Sequence, residues 1–146
     1  DLHTHKNLDN RSFLNPQKAF GADVISRIQY AQSEENITKL QQALLSELRS
    51  AIDFLSSKND LTAQQIEKIT ITGNTTMLHL FLGVDPSSLA AYPFNPVFLE
   101  EKNLSSEELD LVDSPNCVIQ LMPSISAFVG ADLPKPTVPI SLRCIT

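Results

Sequence analysis

Apolar residues recur at Ile37, Leu40, Leu44, Leu48, Ile52 and Leu55, three or four positions apart, and this spacing lays them along one stripe of an α-helix. It predicts a long amphipathic helix after the polar break Ser33-Glu34-Glu35-Asn36, ended by Ser57-Lys58-Asn59-Asp60. Upstream, Val24, Ile25, Ile28 and Ala31 share a second helical face, with Asp23 placed to cap it, so that residues 23–59 form a helical segment. The opening stretch alternates weakly on either side of Lys6-Asn7-Leu8-Asp9-Asn10 and predicts two short strands joined by a polar turn.

Downstream, residues 61–68 predict a short helix capped by Thr62, and the β-branched Ile69-Thr70-Ile71-Thr72 a strand. Gly73-Asn74-Thr75-Thr76 then turns into the apolar helix Met77-Leu78-His79-Leu80-Phe81-Leu82, closed by Gly83. Residues 85–92 predict another short helix. Pro93 and Pro96 hold the residues before them extended, and an irregular excursion is expected from there to residue 113. Cys117-Val118-Ile119-Gln120-Leu121 is a second buried-type strand, followed through Pro123 by a helix at 124–132 with Ile125, Phe128 and Val129 on its apolar side. Two strand-turn-helix units in succession make an α/β protein with a mixed sheet and much helix. The two strands are expected to be parallel neighbours, because a helix lies in the crossover between them. Residues 134–146 carry three prolines and no period, and read as an irregular tail for which a non-native origin is one explanation.

Composition narrows the function. With 146 residues the chain has the length of one domain, and nothing in it approaches the roughly 20-residue apolar run of a membrane span. The opening Asp1-Leu2-His3-Thr4-His5 has neither an initiator Met nor a signal pattern, so a piece of a longer protein is expected. The net charge is −6, and the window from Glu100 to Asp113 holds six acids against Lys102 alone. Such a surface repels phosphate backbones, and no nucleic-acid or membrane partner is expected. Cys117 and Cys144, separated by 26 residues, cannot build a zinc site or an iron–sulfur cluster, and they suit a reduced, cytoplasmic setting.

In open α/β folds ligands sit beyond the carboxyl ends of the strands, where free N–H groups of the next helix point outward. Gly73, Asn74, Thr75 and Thr76 occupy such a place: the glycine would let the chain turn sharply, Asn74 would cap the helix, and the hydroxyls could hold an anion or a metal-bound water. A plain strand-to-helix turn suits the same residues. Ser124 and Ser126 repeat the arrangement at the second strand, with Gly130 explained by close backbone packing and Asp132 at the helix end. His3 and His5 beside Asp1 read as a frayed terminus and not a metal site, and His79 as a satisfied core histidine. No nucleophile-base, Walker or Rossmann pattern is present, which leaves catalytic residues unknown.

Three stretches together reach further: Asn15-Pro16-Gln17 with Phe20-Gly21-Ala22-Asp23-Val24-Ile25-Ser26-Arg27-Ile28, then Gly73-Asn74-Thr75-Thr76-Met77-Leu78-His79, then Pro123-Ser124-Ile125-Ser126-Ala127-Phe128-Val129-Gly130-Ala131-Asp132. With Gly83-Val84-Asp85-Pro86 and Pro93-Phe94-Asn95-Pro96-Val97 between them, they resemble the reductive activators of corrinoid proteins, ferredoxin-fused ATPases of the actin-like (ASKHA) group. The resemblance covers residues 1–133 and implies a partial RNase H-like, actin-like lobe. It implies that residues 73–76 lie near nucleotide and that Ser124, Ser126, Gly130 and Asp132 belong to the first interlobe connector. It further implies a parent that couples ATP and Mg to electron delivery from a 2Fe-2S cluster to an oxidised corrinoid protein. The family's two phosphate loops and its ferredoxin cysteines do not occur in these residues, so this chain alone is expected to be inactive and to hold no cofactor. The rival reading is a non-catalytic α/β interaction module that docks a partner through its long helix and acidic loop.

Overall fold

The computed structural model describes Asp1 and residues 4–124, and residues 140–144 as backbone. Helix α1 (Val24–Tyr30) opens with a reciprocal capping box between Asp23 and Ser26. Helix α2 (Glu34–Lys58) is the long helix, with the Ser33 hydroxyl accepting from Asn36 N–H at its start and acids in its first turn, where the helix dipole favours them. Its buried row, Ile37, Leu40, Leu44, Leu48 and Ile52, is the stripe that the spacing predicted except for Leu55, which is half-buried, and it is widened by Leu45 and Ala51.

Strand β1 (Ile66–Ile71) leads through residues 72–74 to α3 (Thr75–Phe81). Further on come β2 (Lys102–Ser105), the single-turn helix α4 (Ser106–Leu109), β3 (Val118–Leu121) and β4 (Ile140–Cys144). The strands make one mixed sheet in the order β2-β3-β1-β4. β1 and β3 are parallel, with Ile69 opposite Ile119 and Ile71 opposite Leu121, as the helical crossover required. β2 runs antiparallel to β3 and β4 antiparallel to β1. Ile69, Ile71, Ile119 and Leu121 point to one face and meet the α2 stripe, with Phe81, Phe98, Leu109 and Leu111 completing the core.

Five expectations are corrected. Residues 4–15 contain no strand. Residues 9–17 run as a strap along α2 in the opposite direction, tied by Lys58 to Asp9 at 2.7 Å, Arg11 to the Ser50 carbonyl at 3.2 Å, and the buried Gln17 amide to the Leu40 carbonyl at 3.0 Å. Their weak alternation reflects one side facing a helix, not pairing in a sheet. Residues 61–68 are not a helix: a single 3-10 turn, Ala63–Gln65, held by the Gln65 side chain on Thr62 N–H, gives way to β1 three residues earlier than the β-branched run suggested. Residues 85–92 shrink likewise to one 3-10 turn, Ser87–Leu89, because the Asp85 carboxylate accepts from Ser87 N–H and its hydroxyl and favours a tight local turn.

The acidic window is not an irregular loop. It contains β2 and α4, where Glu108 reaches back to Ser105 N–H at 2.8 Å and Leu109 and Leu111 enter the core. Acids occupy its exposed positions while the alternate leucines are buried, so net charge concealed a strand and a helical turn. At the far end, residues 140–144 are a strand where an irregular tail was expected; the alternation Ile140, Leu142, Cys144 begins only after the last proline, which would have removed a ladder N–H. The helix expected at 124–132 lies, beyond Ser124, outside the described residues, as do His3 and residues 134–139.

Candidate functional site

The parallel pairing of β1 and β3 brings two turns to one edge of the sheet, residues 72–74 and 122–124, at the carboxyl ends of adjacent strands. Met122 N–H extends the ladder one step beyond β3 by donating to Ile71 O at 2.9 Å. Asn74 is the N-cap of α3, its side-chain oxygen accepting from Met77 N–H at 2.9 Å. Gly73 and Asn74 are half-buried, whereas Thr75 and Thr76 are buried.

Gly73 does not need the freedom attributed to it from sequence: a Cβ there would meet Met77 Cβ at 3.4 Å and Leu78 Cδ2 at 3.7 Å, which is ordinary contact. Gly83 does need it. At φ +69° it follows the C-cap Leu82, with Gly83 N–H donating to Leu80 O and Val84 N–H to His79 O, the paired bonds that end a helix in a left-handed residue.

His79 is fully buried in α3 and both ring nitrogens are engaged. Nδ1 lies 2.7 Å from Thr75 O, and Nε2 accepts from Val97 N–H at 3.0 Å, which fixes the neutral tautomer with its proton on Nδ1. The ring stacks on Phe98 with centroids 4.4 Å apart. Burial pushes its pKa below the ordinary imidazole value, opposed by the hydrogen bond to Thr75 O. Sequence reading of His79 as a satisfied core histidine matches these contacts; the segment it bonds, 18 residues downstream, has no sequence signal.

Of the residues expected in the connector, Ser124 is described: its N–H donates to Leu99 O at 2.9 Å. Ser126, Gly130 and Asp132 lie outside the described residues. The Cys117 thiol is buried in the core and burial pushes its pKa up, the opposite of what a thiolate ligand needs. Among the described residues no group of three or more His, Cys, Asp or Glu could hold a metal ion.

Comparison with known proteins places these features in a family. The profile described as the RACo middle region matches residues 1–138. The chain belongs to this family. It is 36% identical over 126 residues to the corrinoid activation enzyme RamQ of Eubacterium limosum, a match that covers 86% of this chain and 21% of that protein. Among solved structures it is similar to a reductive activator for corrinoid, iron–sulfur protein, with a TM-score of 0.85 and 34% identity over 89% of this chain and 21% of the other. The chain thus spans about a fifth of the length of these relatives. Its mixed α/β architecture and this structural match agree with the partial actin-like lobe expected from sequence. No helix among the described residues of this RACo middle region is long and apolar enough to cross a membrane.

Proposed function

We propose that this RACo middle region is half of one nucleotide-binding lobe in a cytoplasmic activator that uses ATP and Mg to drive electrons from a 2Fe-2S cluster onto an oxidised corrinoid protein. The observation that carries the reading is the shared edge: parallel β1 and β3 present residues 73–76 and Ser124 side by side at their carboxyl ends, where α/β folds take ligands. Half-buried Gly73 and Asn74 form the ligand-facing part of the turn, and buried Thr75 and Thr76 anchor it. Ser124, with Ser126, Gly130 and Asp132 after it, begins the connector to the second lobe.

The residues of this chain do not suit the cluster, because Cys117 lies in the core and two cysteines are too few. They suit ATP only as one flank of its site. The cluster would supply the electrons when bound; the work of this chain is to fix the edge against which nucleotide and the second lobe close.

The test uses the full-length activator, reduced and anaerobic, mixed with its corrinoid partner and followed by the cobalt absorption bands. Loss of the oxidised cobalt bands is expected with Mg-ATP and not with a non-hydrolysable analogue. Reduction at the same rate without nucleotide would refute the ATP-dependent reading.

A further inference from the structure

Four hydrogen bonds close a circuit around the proposed edge. Ile71 O, at the end of β1, receives Met122 N–H at 2.9 Å; two residues on, Ser124 N–H reaches Leu99 O at 2.9 Å. Two residues before Leu99, Val97 N–H donates to His79 Nε2 at 3.0 Å. The other nitrogen of that ring holds Thr75 O at 2.7 Å, in the first turn of the helix that begins at Asn74. The only side chain in the circuit is His79. Every other link is backbone, which any residue but proline would supply, so the sequence controls the circuit chiefly at this position.

We infer that His79 is a positioning residue: by bonding Thr75 O and Val97 N–H at once, it locks the 73–76 turn after β1 to the Ser124 end of β3 and sets the spacing of the two turns that flank the nucleotide. The inference rests on the nucleotide-proximal reading of that turn. A plain core histidine would need partners for its two nitrogens, but not one in the first turn of its own helix and the other on the 97–99 segment that holds Ser124 N–H.

The lock works with the neutral ring only. A second proton on Nε2 would face the Val97 N–H, turning an acceptor into a donor and breaking the link to the 97–99 segment. The charged groups on the surrounding segments leave the ring alone. Lys102 of β2 lies over Phe98, 5.0 Å from its centroid, and is held by Glu100 at 3.0 Å. Arg27 of α1 is engaged by Gly21 O, and the buried row of α2 is apolar, with the Gln41 amide on Phe81 O. Burial therefore sets the protonation state, and the lock opens as pH falls below the ordinary imidazole range.

Mg-ATP hydrolysis by the full-length activator, measured for KM and kcat from about pH 5 to 8, decides the matter. His79→Phe keeps a ring against Phe98 and removes both hydrogen bonds; its KM for Mg-ATP should rise about tenfold at neutral pH, the worth of roughly one such bond, with kcat changed far less. His79→Gln, whose carboxamide oxygen can reach the Nε2 position, should recover most of that KM. The wild-type KM should climb as pH falls below about 6.5, and His79→Gln should lose that limb. An unchanged KM in a folded His79→Phe, or an acid limb retained by His79→Gln, overturns the inference. Should His79→Phe fail to fold, the comparison of wild type with His79→Gln decides alone. A wild-type activator that neither binds nor hydrolyses Mg-ATP sinks the proposed function and this inference together, whereas normal wild-type kinetics with indifferent variants sinks the inference only.

Discussion

Asn74 shows how one side chain can carry two readings that only paired measurements separate. Its oxygen caps α3 through Met77 N–H, and removing a cap of this kind costs about 1 kcal/mol, most of which glycine restores because it tolerates the same backbone. In the full-length activator Asn74→Ala should therefore lower the unfolding free energy by about that amount, and Asn74→Gly should recover it. ATPase activity is expected to stay low in Asn74→Gly, because the site turn would still lack its amide. If activity follows stability and the glycine variant restores both, the turn is structural. The cap itself was legible in sequence, since an amide followed by two threonines before an apolar run has a local mechanism. The role of Gly73 was not: a glycine after a strand suggests a sharp turn, but its surroundings accept a Cβ, and among the described residues the positive-φ glycine is Gly83.

Among the elements, α2 carries the fold. Leu44, Leu45, Leu48 and Ile52 meet β1 and β3 on one side, while the 9–17 strap crosses it on another through Arg11, Lys58 and Gln17. Leu48 is buried in the main core. Leu48→Ala should cost about 2–5 kcal/mol in a denaturant titration of this chain, with the spread set by how far the cavity collapses. A loss under about 1 kcal/mol would mean that the helix does not pack against the sheet as described. The periodicity of α2 is self-contained, so its extent needed no partner to be recognised. β2 and α4 were missed for the opposite reason: their four-residue lengths fall below what a period can reveal, and β2 exists only because β3 offers it an edge.

At the scale of the molecule, the chain spans about a fifth of its relatives, and its proposed site is one flank of a cleft. A triphosphate is held by converging N–H groups from glycine-containing turns, and one short strand-to-helix turn is a small part of such a cradle. Calorimetric titration of this chain alone with Mg-ATP should give no measurable heat of binding up to about millimolar concentration, where the free energy of association would be only about −4 kcal/mol. Micromolar affinity would mean that the nucleotide site has been placed wrongly. The sequence by itself determined what depends on near neighbours: the long helix, the two parallel strands and the turns after them, the Asp23 and Asn74 caps, the helix stop at Gly83, and the family. Only the tertiary structure decided what depends on distant ones. It turned residues 9–17 into a strap because α2 lay beside them, made strands of residues 102–105 and 140–144 because β3 and β1 had edges to pair, and joined His79 to a backbone N–H 18 residues away. Local sequence fixes dihedrals and caps within a few residues, but an edge, a groove or a hydrogen-bond partner exists only once the chain has packed.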